Sequence, residues 1–206
     1  MGLLRQPTSD ITKGVIWKQL LAFFFPLWFG TFFQQLYNTV DTVVVGQYVG
    51  KEALAAVGTT GTVINLLVGF FVGVSSGATV IVSQFFGAED RENVSKAVHT
   101  SMALAIVGGV VIMVVGFISA RPVLVAMSVP EEILEDALLY MNVYYAGIIA
   151  NMIYNIGTGI LRAIGDSCMP LYILIVCCLA NVVLDLLFVV VFHWAVFGVA
   201  FATVLS

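Results

Sequence analysis

The sequence predicts an all-α integral membrane protein, a bundle of six transmembrane helices formed by one domain, residues 1–206. Hydrophobic residues make up 61% of the chain and charged residues 10%. Soluble domains carry about 25% charged residues, so a soluble fold is excluded. The few charges lie between long apolar stretches, which is typical of a chain that crosses the bilayer several times.

Six apolar segments follow one another between these charges, and each is predicted to form one helix. The second extends over about 50 Å, more than the ~30 Å hydrocarbon core, so it must tilt, bend or protrude. The sixth reaches only about 18 Å, which predicts a chain cut within its sixth helix. The predicted bounds are about 17–45, 53–86, 97–119, 133–161, 169–192 and 195–206, the last one incomplete.

The distribution of Lys and Arg predicts a multi-pass protein of the plasma (inner) membrane with a cytoplasmic N-terminus. In that orientation Lys51 and Arg121 lie on the outer side and the rest of the 8 basic residues lie inside. The inner set is Arg5, Lys13, Lys18, Arg91, Lys96 and Arg162.

Polar residues interrupt the first apolar segment at helical spacing. Gln34, Asn38 and Asp41 are at positions i, i+4 and i+7, so they share one face of a helix. An acid near the bilayer centre costs roughly 3 kcal/mol on insertion scales, so this face must contact other helices or water. We interpret it as lining a polar cavity within the bundle.

The fifth segment carries a second intramembrane acid. Asn181 and Asp185 are spaced i, i+4 and share a face. Asp185 lies about 10 Å from the outer helix end, Thr203 about 12 Å and Asp41 about 6 Å. Hard oxygen ligands at similar depth suit a sodium ion, or a carboxylate pair that exchanges a proton.

Structural interpretations of the same residues stay open. Asp41 could end its helix in interfacial water, Asn181 could join neighbouring helices, and Thr203 could bond its own i−4 carbonyl. On the fourth segment Asn151 and Asn155, with Thr158, form a further polar face. It lies nearer the middle or inner half, so geometry alone does not place it in the same site.

Proline and glycine residues predict features of helix shape and packing. Pro26 lies inside the first helix and favours a kink, either static or a hinge. The second helix carries a stripe of small residues that favours close helix packing over direct contact with a ligand. The stripe consists of Gly61, Gly69, Gly73 and Gly77.

Several functional classes find no support in the sequence. There is no basic patch with interleaved aromatic residues, so nucleic acid is not indicated as a partner. The 3 cysteines lack metal-ligand spacing. No Ser/His dyad, HExxH or other nucleophile–base constellation is present, so the sequence predicts neither an enzyme nor an organic cofactor.

Two long stretches resemble the multidrug and toxic compound extrusion (MATE) family, particularly its prokaryotic members. DITKGVIWKQLLAFFFPLWFGTFFQQLYNTVDTVVVGQYVGKEALAAVG is similar to the family's opening. GILRAIGDSCMPLYILIVCCLANVVLDLLFV resembles its fourth-to-fifth helix region, with an RAxGD turn and an NxxxD pair. The resemblance covers essentially all 206 residues.

The resemblance implies a cation-coupled antiporter, driven by Na⁺ or H⁺, that exports cationic or amphipathic compounds by alternating access. Such transporters have twelve helices in two halves, so this chain would be the N-terminal half. Its partners would be the bilayer, the small-molecule substrates and the missing C-terminal six-helix half. Gln34, Asn38 and Asn151 become candidates for the substrate cavity. The resemblance places Pro26 at the helix-one kink and the cation-coupling set at Asp41, Asn155, Asn181, Asp185 and Thr203.

Two alternative functions remain. A lipid-linked saccharide flippase of the same superfamily would be expected to carry more basic residues along its cavity than these helices contain. A non-transporting membrane scaffold or assembly fragment is the alternative from a different class. A measurement of drug binding distinguishes the two classes, because binding that depends on ions is expected of the exporter and not of the scaffold.

Overall fold

The computed structural model describes residues 16–206, and every regular element within that range is helical. The predicted fold class, an all-α membrane bundle, is confirmed. Arg5 and Lys13, which contribute to the predicted orientation, lie outside the described residues. The helices are α1 (Ile16–Val44), α2 (Lys51–Gly87), α3 (Arg91–Ala126), α4 (Glu131–Ala163), α5 (Cys168–Leu186) and α6 (Ala195–Leu205).

Two of these helices continue into a wider π-helical turn. α1 is followed by Val45–Val49 and α5 by Leu187–Val191. The turns contain i−5 hydrogen bonds, from Gly50 N to Val45 O and from Phe192 N to Leu187 O, both 3.1 Å. Both turns lie at the end of the bundle that the predicted orientation makes the outer one, and they contact each other.

The charged residues between apolar segments form helix ends. α3 begins at Arg91, earlier than its apolar segment, because Asp90 caps it: Asn93 N–H donates to Asp90 Oδ1 at 3.1 Å. Bonds from the backbone and side chain of Asn93 hold the pKa of Asp90 below its usual range. α5 is capped by Asp166, whose Oδ1 accepts from Cys168 N and Met169 N, both at 3.0 Å.

Most helices of the bundle are long enough and apolar enough to cross a membrane. Within residues 16–206, four helices meet both criteria: α2, α3, α4, and α5 with its π-helical turn. α6 is apolar but has only 11 residues. α1 has 29 residues and carries the polar face of Gln34, Asn38 and Asp41 in its second half.

The fourth helix holds the bundle together. α4 contacts α2, α3, α5 and α6, whereas α1 packs mainly on α5. Large apolar side chains fill the space between α2, α3 and α4, and Phe71, Leu124 and Ile148 there are fully buried. Burying such a side chain contributes about 1.5–3 kcal/mol in water, whereas between helices in lipid it is packing that counts.

The predicted glycine stripe on α2 packs against no helix within residues 16–206. A Cβ added at Gly61, Gly69, Gly73 or Gly77 would meet nothing within 4 Å. Close approaches are instead made by glycines of α3 and α4, because α4 is the central helix. A Cβ at Gly147 would lie 2.6 Å from Val204, one at Gly159 would collide with Ser75, and one at Gly116 with the Tyr145 ring.

Candidate cation site

The first and fifth helices bring the two intramembrane acids together. Asp41 on α1 is 8% exposed, and Asp185 on α5 is 0% exposed. The two carboxyl groups lie within interaction distance of each other, although they form no hydrogen bond of ordinary geometry. Asn181, one turn before Asp185, is also fully buried. The predicted face of α5 therefore meets the predicted face of α1.

Within residues 16–206, these three side chains keep buried polar atoms without a hydrogen-bond partner. The atoms are Asp41 Oδ1, both carboxylate oxygens of Asp185, and both Oδ1 and Nδ2 of Asn181. Most buried polar groups in proteins are hydrogen-bonded, and an unpaired one costs about 1–3 kcal/mol. Two adjacent buried carboxylates also repel each other unless a proton or a cation lies between them. The site therefore fits a bound cation or a shared proton.

Neutral oxygen atoms complete the surroundings of the carboxyl pair. Tyr37 lies close to Asp41, Asp185 and Thr203, and Tyr140 lies close to Asp41 and Thr203. Thr203 itself donates to Val199 O at 2.9 Å, as the structural interpretation expects, and leaves its lone pairs for the site. Within residues 16–206, no three His, Cys, Asp or Glu side chains converge to form a site for a softer metal ion.

The two tyrosines were missed by sequence reasoning. Tyr37 had a usable signal, because it lies one helical turn before Asp41 and therefore on the same face. For Tyr140 the only sequence signal was its helical spacing from other polar residues of α4, of which Tyr144 is the first. A buried tyrosine usually finds a hydrogen-bonding partner, and for both tyrosines Asp41 and Thr203 are polar groups close by.

An apolar layer covers the outer side of the carboxyl pair. Val45, Val189, Val196 and Val199 pack together there and are each between 0% and 4% exposed. Val45 and Val189 belong to the two π-helical turns. Such turns are frequent at functional sites, and here they place apolar side chains directly over the acids. In this conformation the site is closed toward the outer end.

A second polar region lies in the inner half of the bundle. This inner cavity has a volume of about 420 Å³ and is lined by α1, α2, α4 and α5. Pro26 and Gln34 line it from α1, Asn155 and Arg162 from α4. Hydroxyl groups supply most of its other polar surface, from Thr31, Ser75, Ser76, Thr79, Thr158 and Ser167.

The structure separates residues that the resemblance groups together. Asn155 lies on the wall of the inner cavity, about 22 Å along α4 from Tyr140 and the carboxyl pair. Its implied place in the cation set stays a prediction. Asn38 is exposed on α1, with its Nδ2 3.5 Å from Gln35 Oε1. Asp41, three residues further along α1, is buried at 8% exposure, so the structure separates these two residues of the predicted polar face.

Comparisons with known proteins agree with this architecture. The chain is similar to "Probable multidrug resistance protein YoeA" of Bacillus subtilis (strain 168), with 30% identity over 203 residues, covering 97% of this chain and 44% of that protein. The fold matches a crystal structure of MATE in the bent conformation, with a TM-score of 0.90, 28% identity and coverage of 97% of this chain and 44% of the other.

A further match carries a different functional description. It is a MOP superfamily transporter from Pyrococcus furiosus, with a TM-score of 0.90, 28% identity, and coverage of 97% of this chain and 44% of that one. A reversed polarity of its binding pocket is said to suggest a different function. This chain spans less than half the length of these relatives.

The sequence of the bundle also matches a family model directly. The model described as MatE aligns with residues 26–187, which include α2 to α5 and most of α1. That range contains Asp41, Asn181 and Asp185, and it ends in the second π-helical turn. This multi-pass membrane chain therefore belongs to the MatE family, whose members are transporters.

Proposed function

We propose that this chain is the cation-binding lobe of a Na⁺- or H⁺-coupled multidrug antiporter. The observation that carries the proposal is the buried Asp41–Asp185 pair: Asp41 Oδ1 and both oxygens of Asp185 have no hydrogen-bond partner within residues 16–206. Isolated buried acids are costly in a membrane bundle and are typical of ion and proton pathways. A site of this kind has a direct use in a transporter and no evident use in a scaffold.

The carboxyl pair has two ways to be satisfied. A Na⁺ would be held by Asp41 and Asp185, with Asn181 Oδ1 and the Thr203 hydroxyl as neutral ligands. A proton would instead be shared between the two carboxyl groups, and Tyr37 and Tyr140 would donate to the remaining oxygens. Na⁺ supplies a compensating charge that the surrounding protein lacks.

Coupling would arise because the packing of α1 on α5 depends on whether the carboxyl pair holds a cation or proton. With a cation or proton bound, α1 and α5 attract each other through it; without one, the two charges repel. Because α1 also lines the inner cavity through Pro26 and Gln34, a shift of this helix changes both sites. A cation thus favours one access state and a substrate favours the other. Pro26, which removes one helical hydrogen bond, is the proposed hinge.

The substrate class is proposed from the same arrangement. A cationic or amphipathic compound would compete with the coupling cation for negative charge, and aromatic side chains exposed on α1 would contact its rings. Gln34 and Asn155 in the inner cavity, with Asn38 and Asn151 nearby on the same helices, would provide neutral polar contacts. The C-terminal half of the relatives would complete the cavity.

A lipid-linked saccharide flippase is the second candidate, since the binding pocket of the relative from Pyrococcus furiosus is said to suggest a different function. A flippase for a pyrophosphate-linked sugar needs basic residues within its cavity. Arg162, near the end of α4, is the one charged residue that lines the inner cavity of the described chain. The buried carboxylates favour the exporter.

The test is transport by the full-length protein in proteoliposomes. We expect ethidium to accumulate when a Na⁺ or pH gradient is imposed, and to stop accumulating when that gradient is collapsed. A fluorescent lipid-linked oligosaccharide, assayed in the same vesicles, should remain on its original leaflet. Sugar movement without any cation-driven ethidium transport would replace the exporter with the flippase.

A further inference from the structure

One face of α4 connects the candidate cation site with the inner cavity. Tyr140, Tyr144, Asn151 and Asn155 follow one another on it at spacings of four, seven and four residues. We call these four residues the α4 polar file. It covers about 22 Å along the helix axis, which is most of the thickness of the hydrocarbon core.

Hydrogen bonds join the inner three members of the file. Asn155 Nδ2 donates to Asn151 Oδ1 at 2.7 Å and to Asn151 O at 2.8 Å. Because a backbone carbonyl only accepts, this second bond fixes which amide atom of Asn155 is the nitrogen. Asn151 Nδ2 is then 3.4 Å from the Tyr144 hydroxyl. Each donor points toward the outer half, so the bonds can reinforce one another.

The file reaches a polar region at each end. At the inner end Ser75 Oγ donates to Asn155 O at 2.7 Å, and both residues line the inner cavity. At the outer end Tyr140 is buried in the same cluster as Val45 and Val199, beside the candidate cation site. Tyr140 and Tyr144 are one helical turn apart, which leaves room for bridging water between their hydroxyls.

On the outer side the described residues present apolar side chains instead of a polar file. Val45, Val189, Val196 and Val199 close that side with an apolar layer. A small cation or proton that reaches Asp41 and Asp185 through apolar packing would have to give up its hydration without compensation. Along the α4 polar file it would meet hydroxyl and amide groups throughout.

We propose that the α4 polar file is the hydrated path along which the coupling cation or proton moves between the inner cavity and the Asp41–Asp185 pair. The inference rests on the proposed function. It gives Asn151 and Asn155 a role away from the cation-binding shell, as positioning residues for water. It also gives Tyr140 and Tyr144 a role beyond packing.

The first test detects the water itself. Hydroxyl radicals produced by X-ray radiolysis modify buried side chains where ordered water lies beside them, and mass spectrometry locates the modification. In the full-length protein we expect modification of Tyr140 and Tyr144, which are 6% and 9% exposed. Asn155→Leu should abolish it at Tyr144, whereas Asn155→Ser, which keeps a polar group, should retain it.

A matched control separates a blocked path from a disturbed helix. Ala146→Leu adds a leucine to the same helix on its exposed side, away from the file, and should leave labelling unchanged. If Asn155→Leu does not fold, Asn151→Leu tests the same path at the next member. Unlabelled Tyr144 in the wild-type protein, or labelling that survives both leucine variants, would overturn the proposal.

The second test separates the path from the site. After a rapid change of pH or Na⁺ concentration, Asn155→Leu should slow the approach to equilibrium. Asp185→Asn should remove the binding itself. An unchanged rate in Asn155→Leu together with lost binding in Asp185→Asn would reject the path and leave the proposed function standing. Unchanged binding in Asp185→Asn would reject the function on which the path depends.

Discussion

Asp185→Asn in the full-length protein is expected to lower cation-driven ethidium efflux by roughly 10- to 100-fold, within the range of a 1–3 kcal/mol coupling energy. The substitution keeps the size of the side chain and removes the charge that holds Na⁺ or the shared proton. Asp185 has no exposed surface and no hydrogen-bond partner within residues 16–206, so the asparagine breaks no hydrogen bond seen there. Efflux from cells that carry each variant provides the measurement.

The control for this variant is the same chemical change at the surface. Asp136→Asn, in the second turn of α4 at the outer end, should leave efflux unchanged. Expression level and the elution profile in detergent should be equal for both variants. If Asp185→Asn keeps the wild-type efflux rate and the wild-type dependence on cations, Asp185 has no role in coupling.

Gly159→Leu is expected to cause the largest loss of stability among simple substitutions, roughly 1–3 kcal/mol or more of unfolding free energy. A Cβ at this position would collide with Ser75 Oγ and lie 2.7 Å from Thr79 Oγ1. Neither hydroxyl can move away freely, since Ser75 bonds Asn155 O and Thr79 bonds Ser75 O. The α2–α4 packing, the most extensive helix contact of the described chain, would have to separate.

Gly157→Leu is the matched control, on the same helix and two residues away. A Cβ there meets nothing within 4 Å, so the added side chain should be tolerated. Thermal unfolding in detergent, followed for both variants, distinguishes a steric effect from the general effect of replacing glycine in a helix. Equal unfolding temperatures for the two variants would contradict the packing assigned to α4.

The fold could be predicted because membrane helices leave strong patterns. Charged loops divide the sequence into long uncharged runs, each of which predicts a helix. The acids that interrupt these runs must face the interior of the bundle. The ends of the helices were harder to predict from the sequence. α3 begins at Arg91 because Asp90 caps a turn of charged residues, which hydropathy alone assigns to the loop.

The centre of the site was predictable for the same reason. Asp41, Asn181 and Asp185 are polar groups that lipid excludes, and similar depth suggested their proximity. Tyr37 and Tyr140 were not found, since a tyrosine in an apolar segment is as compatible with packing as with hydrogen bonding. The two π-helical turns had no recognised sequence signal, although they set the apolar layer above the acids.

The glycines of the α2 stripe do not pack on another helix of the described chain. A stripe of small residues indicates that something can approach, but it does not identify the partner helix. On α2 the stripe meets no atom of the described chain, while single glycines of α4 allow α2 and α6 to approach closely. The place of a helix in the bundle, rather than the sequence spacing of its glycines, decided which glycines pack. That place depends on the arrangement of all six helices.

The central claim is that Asp41 and Asp185 together hold one cation. The most direct measurement is equilibrium binding of radioactive Na⁺ to the purified full-length protein, with proton release recorded in the same weakly buffered samples. We predict one Na⁺ bound or one proton exchanged at this lobe, lost equally in Asp41→Asn and in Asp185→Asn. Binding and proton release that persist unchanged in both variants would contradict the account.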